Sequence, residues 1–219
     1  MVEADRIGRR TTGHSTAKIS ALQGTTYSSL ARGKGREAAT TYAEASVRGV
    51  AALREVAARL KIGCSLTEAP AYTCAATAAG VHSIEDETEA ARAAGLEVEL
   101  TTSTDLPFAV AAAVRLDVQA HFDPIAFCDG LASHLRREGV PVVEGARVTA
   151  VEEERDGCVV RVGDTSVSCG HVVLTTHLPI SDPALLAGRT HPERSYAVSG
   201  PVRGRSAQIE GIYLAADTG

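Results

Sequence analysis

The chain contains no tryptophan, and Phe and Tyr together make up only 4% of it. Stacked nucleobases need aromatic faces, so a stacking nucleic-acid platform is excluded. A phosphate-neutralising surface is excluded separately, because it needs a concentrated Lys/Arg field. Here 22 basic residues are mixed with 27 acidic ones, for a formal net charge of −5. No apolar run approaches the ~20 residues of a membrane helix, so no membrane partner is expected. Cysteine is sparse: Cys64, Cys74, Cys128, Cys158 and Cys169 are odd in number and form no C-x-x-C pair. With no signal peptide, that pattern points to reduced thiols in a cytoplasmic protein. A metal centre needs clustered ligands; Cys169 and His171 stand alone, and the cysteines read as small buried hydrophobes.

What remains is ordinary for a soluble globular chain: 219 residues, 44% hydrophobic and 22% charged. That length suits one large domain or a domain with a sizeable insertion. Residues 9–31 read as a loop, or a short helix through "TAKISALQG". From Gly35 to Lys61, Tyr42, Val50, Leu53, Val56, Ala57 and Leu60 recur at helical spacing. "SLTEAPAYTCAAT" reads as extended. "SIEDETEAARAAG" reads as a helix capped by Ser83 and closed by Gly95. "FAVAAAVRL" and "VQAHF" look like strands. The next helix has the fullest signature: Asp123 caps it, Pro124 takes the first position, Ile125, Cys128, Leu131, Ala132 and Leu135 form its stripe, and Gly139 ends it. Then "VPVVEG", "RVTAVEEE", "CVVRVG" and "SVSCGHVVLTT" read as β-runs between Gly/Asp turns, the last apolar enough for burial on both faces. "RSYAVSGPV" and "GIYLAADTG" add two more. The mixture is α/β or α+β.

Two glycine patterns invite a nucleotide reading, and both fail locally. "GRRTTGHST" nearly matches G-x-x-x-x-G-K-[ST], but His14 stands at the lysine position and no buried strand precedes it. "GKGREA" fits G-x-G-x-x-A without the preceding strand that a dinucleotide fold requires; a helix start after a glycine turn is the simpler reading. Thr11, Thr12, Gly13, His14, Ser15 and Thr16 still gather hydroxyls, N–H groups and an imidazole. Such a loop can wrap an anion, above all if "STAKIS" opens a helix; a polar surface loop without ligand is the plainer local reading.

The order of segments resembles the D-amino-acid-oxidase-like group of FAD-dependent oxidoreductases, including glycine and sarcosine oxidases. It is most similar to a branch often followed by a Rieske iron–sulfur domain. The resemblance rests on "VEADRIGRRTTGHSTAK", on "QAHFDPIAFCDGLASHLRREGVPVVEGARVTAVEEERDGCVVRV", and on "GHVVLTTHLPI" and "HPERSYAV". It implies a Rossmann-like FAD-binding domain with an inserted antiparallel β-sheet substrate domain. The first corresponds to residues 1–65 and 117–190, the second to 66–116 and 191–219. Glu3 matches the acid that accepts from the adenosine ribose hydroxyls. Thr11, Thr12, Gly13, His14, Ser15, Ala17 and Lys18 match the loop passing the pyrophosphate toward the flavin. Val148 matches a backbone contact to adenine. Thr175 and Thr176 match a strand end near the cofactor, with purely structural hydrogen bonds as the alternative. The implied reaction is hydride transfer to flavin from a C–H beside nitrogen, in a small-molecule amine or amino acid, without a required acid–base dyad. Tyr72, Arg115 and His121 are candidates to face the substrate-side domain, with core or surface roles as the plainer reading.

Against that pattern, only Met1 and Val2 precede Glu3, so the strand and G-x-G-x-x-G loop of the family have no counterpart. The Gly-rich flavin loop after "AADTG" and the C-x-H…C-x-x-H ligands of a Rieske domain have none either. The expectation is an internal piece of a larger flavoprotein, incomplete at both ends, binding FAD weakly or not at all by itself. Its unpaired sheet edges would offer sites of association. The rival is a non-catalytic α/β binding protein or inactive fragment.

Overall fold

The computed structural model describes residues 1–176, 180, 187–191, 196, 198 and 209–216. In chain order these form β1 (Lys18–Ile19), α1 (Thr26–Lys34), α2 (Arg36–Arg59), β2 (Thr67–Ala75), α3 (Val81–Ala93), β3 (Glu99–Thr101), β4 (Ala112–His121), α4 (Pro124–Arg137), β5 (Val148–Glu154), β6 (Gly157–Val162), β7 (Thr165–Cys169) and β8 (Ile212–Ala215). The mixed α/β class agrees with the sequence. Contacts divide the chain into two compact units: residues 1–14 with 131–201, and residues 15–130 with 202–219. These bounds divide the chain by packing; the bounds near 65 and 116 are those that the family resemblance implies.

The unit of residues 15–130 and 202–219 is built on a sheet ordered β1-β4-β2-β8, with β3 also paired to β4. Alternation sorts its side chains by face. Ala71, Ala75, Ala112, Val114 and Leu116 share one buried cluster with Tyr27, Ala39, Ala43, Ile84 and Ala91 from α1, α2 and α3. Small residues dominate this interface, so helix and sheet backbones approach closely. The other face carries Tyr72, Cys74, Val110 and Ala113, with Leu106 and Tyr213 packed against them.

Local chemistry accounts for the helices. Gly35, at φ 91°, separates α1 from α2, as the glycine-turn reading of "GKGREA" requires. Gly95, at φ 97°, closes α3 in a Schellman turn, its N–H donating to Arg92 O and that of Leu96 to Ala91 O. Helix α3 begins at Val81, after a 3-10 turn over Ala78–Gly80, so Ser83 lies inside it and is not its cap. At α4, Asp123 Oδ1 accepts the N–H groups of Ile125 and Ala126, and Gly139 at φ 79° follows the last turn.

"FAVAAAVRL" and "VQAHF" merge into the single strand β4. Val118 sits at φ 59° where the register slips between Ala69 and Ala71, a β-bulge that re-aims the strand. The loop before α1 contains no helix over "STAKIS". Ala17 at φ 61° interrupts a helical path, and Lys18 and Ile19 instead pair with His121 and Ala120.

In the unit of residues 1–14 and 131–201, β5, β6 and β7 form an antiparallel meander. "VPVVEG" contributes only a parallel bridge, Val2 to Val143. Strand β7 stops at Cys169, and residues 171–176 carry no regular structure. Val173 is 84% exposed, contrary to a strand buried on both faces. An apolar run becomes such a strand only where neighbours supply backbone partners, and no described strand pairs with this one. Cys158 and Cys169 are half-buried, not core residues. "RSYAVSGPV" lies largely outside the described residues, while "GIYLAADTG" supplies β8.

Candidate functional site

Residues 1–7 lie beside residues 141–146. Val143 N–H donates to Met1 O (3.0 Å), Glu3 N–H to Val143 O (2.9 Å), and Ala146 N–H to Glu3 O (2.9 Å). Past Glu3 the contact continues, with Gly145 N–H donating to Asp5 O (2.8 Å), so the half-buried Glu3 follows directly on the parallel Val2–Val143 bridge. Asp5 N–H donates to Glu3 Oε1 at 2.9 Å, which orients the carboxylate through its own loop.

The chain then turns. Gly8 at φ 69° allows the reversal, and Thr12–His14 forms a 3-10 turn in which His14 N–H donates to Thr11 O (3.2 Å). His14 Nδ1 lies 2.8 Å from Arg10 O. A carbonyl only accepts, so Nδ1 carries the hydrogen. The Arg10 guanidinium pairs with Asp5 at 2.6 Å. Asp5, Arg9, Arg10, Thr11 and His14 line an open concavity, whose guanidinium and hydroxyl groups are of the kind that meet an anionic ligand.

Three further expected residues lie in the other unit. Ala17 N–H donates to Ser15 Oγ (3.3 Å), and Ala17 O accepts from Phe122 N–H (3.1 Å). These bonds hold Ala17 in a left-handed conformation that costs a non-glycine residue ~1 kcal/mol. Burial lowers the ammonium pKa of Lys18. Val148 opens β5, opposite Val162, at an irregularity that leaves Thr149 out of register. Thr175 and Thr176 are exposed beyond β7. Among the expected cofactor residues, Thr11 and His14 share the concavity; Val148, Thr175 and Thr176 do not line it.

A second polar assembly occupies the sheet face away from the helices. Tyr72 and Tyr213 stack with ring centres 4.6 Å apart and planes inclined by 6°. The Arg115 guanidinium stands 5.8 Å over the Tyr72 ring and pairs with Asp117 at 2.8 Å. Asp105 anchors the far side: Tyr213 Oη donates to Oδ1, and the N–H groups of Glu210 and Gly211 donate to Oδ2. Burial pushes the Asp105 carboxyl up, but those bonds outweigh it and hold the carboxyl below its ordinary range. Burial, then the bond to Asp105, pushes the Tyr213 hydroxyl up. Gly211 makes room for the stack, since a Cβ there would stand 2.7 Å from Tyr213 and 2.8 Å from Tyr72. His121, on the last residue of β4, is exposed. Sequence reasoning named Tyr72 and Arg115 but missed Asp105, which lies in a loop with no signal of its own, and Gly211 and Tyr213, whose only local signal was a strand-like run near the C-terminal end.

Comparison with known proteins decides the family: the FAD dependent oxidoreductase model matches residues 1–217. The chain belongs to that family. A putative Rieske 2Fe–2S iron–sulfur protein of Bacillus subtilis is 25% identical over 218 residues, which is 99% of this chain and 42% of that protein. Glycine oxidase from Geobacillus kaustophilus shares the fold at TM-score 0.60 and 15% identity, over 80% of this chain and 47% of that one. L-amino acid deaminase from Proteus myxofaciens does so at TM-score 0.56 and 10% identity, over 77% and 38%. The chain thus spans about two-fifths of the curated relative's length. Among the described residues, no helix of this flavoprotein-family chain is long and apolar enough to cross a membrane.

Proposed function

We propose that this chain contributes the ribose- and pyrophosphate-facing part of an FAD site, in an oxidoreductase that oxidises the C–N bond of a small amine or amino acid. The observation that carries the reading is Glu3: a half-buried carboxylate directly after the parallel Val2–Val143 bridge, followed within the same unit by an arginine- and histidine-lined turn. The donor set fits the cofactor. A carboxylate accepts from a ribose diol, and guanidinium, hydroxyl and N–H groups meet a pyrophosphate.

Bound FAD supplies the hydride acceptor. The chain's own residues bind and orient it. Glu3 accepts from the adenosine ribose hydroxyls, and Thr11, Thr12, Gly13 and His14 donate toward phosphate oxygens. Ser15, Ala17 and Lys18 continue that loop. The Val148 backbone holds adenine, and Thr175 and Thr176 hydrogen-bond near the cofactor. On the substrate side, Tyr72 and Tyr213 offer a rigid aromatic floor, and Arg115 a cation for an amino-acid carboxylate. The names of the structural neighbours, a glycine oxidase and an L-amino acid deaminase, support an amino-acid substrate.

Titration of the purified chain with FAD, followed by quenching of flavin fluorescence, tests the reading. Glu3→Gln is expected to weaken binding by roughly tenfold or more, since a bond to a charged acceptor is worth ~1.5–3 kcal/mol. Binding insensitive to Glu3→Gln and to His14→Ala would overturn the site. FAD uptake without anaerobic bleaching by any amine or amino acid would leave a binding protein, not an oxidoreductase.

A further inference from the structure

Cys158 and Cys169 face each other across the β6–β7 hairpin as direct register partners. The hairpin closes at Val162 and Thr165 around Gly163 and Asp164, with Gly163 at φ 57° as a two-residue turn requires. Counting in twos from that closing pair gives Val160 with Val167, then Cys158 with Cys169, all on one face. Partners in an antiparallel ladder have Cα atoms about 4.5–5.5 Å apart, within the roughly 4.4–6.8 Å that a disulfide bridges. Cys169 Sγ already leans across the ladder, 3.8 Å from Cys158 O. The next position is a glycine for a steric reason: a Cβ on Gly157 would stand 2.5 Å from Cys169 O, so this end of the hairpin needs Gly157 for its close approach. Both thiols are half-buried and reachable, whereas Cys64 and Cys74 are 1% and 7% exposed in the other unit.

We propose that Cys158 and Cys169 form a reversible cross-strand disulfide, a redox-modification site that clips β6 to β7. A peroxide supplies the two oxidising equivalents. The sulfur of one cysteine attacks a peroxide oxygen, the O–O bond breaks, and a sulfenic acid and one water result. The sulfur of the second cysteine then displaces the hydroxyl as a second water, and the S–S bond forms. Two thiol hydrogens and two electrons have passed to the peroxide, and a dithiol reverses the change. The clip fixes β6, the strand against which Val148 and the rest of β5 pair. It requires only the hairpin and stands whether or not the chain binds flavin.

The test is peroxide treatment of the whole chain, then maleimide labelling of remaining thiols and peptide mass mapping with and without dithiothreitol. The expected result is one intrachain link between the Cys158 and Cys169 peptides, with labelling of both restored by the dithiol. Amide exchange across residues 157–169 should also slow by on the order of tenfold on oxidation. Cys158→Ser should yield no linked peptide and a dimedone-trapped sulfenic acid at Cys169. Full labelling of both thiols after peroxide, sulfinic or sulfonic products at either, a link between two chains, or a link to Cys128 would overturn the proposal.

Discussion

The two units hold themselves together differently. In the unit of residues 15–130, buried residues crowd both faces of the sheet, and polar groups inside it are satisfied by named partners. Glu87, fully buried, accepts the N–H groups of Tyr27 (2.9 Å) and Ser28 (2.7 Å). Gln119 Oε1 accepts from Ala21 N–H (2.8 Å), and the Tyr27 hydroxyl donates to Ala21 O (2.6 Å). In the unit of residues 1–14 and 131–201, Ala132 is the only buried residue among those described. Its order comes from backbone ladders and exposed pairs such as Arg161 with Glu152 (2.7 and 2.9 Å). Directional bonds without a buried core hold a local conformation but add little cooperative stability. The proposed phosphate-facing turn therefore sits on the softer unit, and the Tyr72–Tyr213 stack on the stiffer one.

The sharpest way to break this contrast is Glu87→Ala. It strands two buried N–H groups at the start of α1 and should cost about 3 kcal/mol, read as a fall in the denaturant midpoint. Burial raises the Glu87 carboxyl, against bonds from Ser28 and Tyr27 that lower it. An acid raised on folding binds its proton more tightly in the folded state. Its stabilising contribution is therefore full below the ordinary carboxyl value and is lost as pH rises through the raised one. Glu87→Gln should flatten that slope in a denaturation series against pH. Gly211→Ala comes next: its Cβ would meet two stacked rings, and a loss of ~2 kcal/mol is expected with a changed tyrosine fluorescence.

Smaller effects sharpen the same comparison. Val118→Gly relieves a β-branched residue at φ 59° and should raise the thermal midpoint, by ~0.5–1 kcal/mol in stability. Ala17→Gly relieves a left-handed alanine by a similar amount. If the residue is held strained for the cofactor, that gain should come with weaker FAD binding. In the softer unit, Val173→Lys should change stability by less than ~0.5 kcal/mol in the same melt, as expected for a side chain 84% exposed.

What could be read in the sequence was whatever chemistry is local. Asp123, Pro124 and Gly139 mark both ends of α4 within seventeen residues, and the Gly/Asp turns mark the β5–β6–β7 meander. What could not be read depends on partners far along the chain. The segment "HVVLTT" has the composition of a buried strand, but composition does not supply a neighbour to pair with. The bulge at Val118 reflects a register slip against β2, and Asp105 meets Tyr213 across 108 positions. The candidate cofactor site divides in the same way. Its residues were named by the order of segments and their likeness to a family, since Glu3 alone resembles any surface acid. The Schellman turn after α2 even uses a non-glycine, Lys61 at φ 53°, which no glycine pattern would reveal.

The bond from Glu87 to α1 also governs how the chain can be cut and recombined. Thr25 makes no side-chain cap, so α1 borrows its N-terminal acceptor from α3, about sixty positions later. Any chimera whose crossover falls between residues 35 and 80 parts the two N–H donors from that carboxylate. The incoming segment would have to carry an acid at the same place. Residues 26–93 thus behave as one inheritable block, although the secondary structure shows three separate helices there.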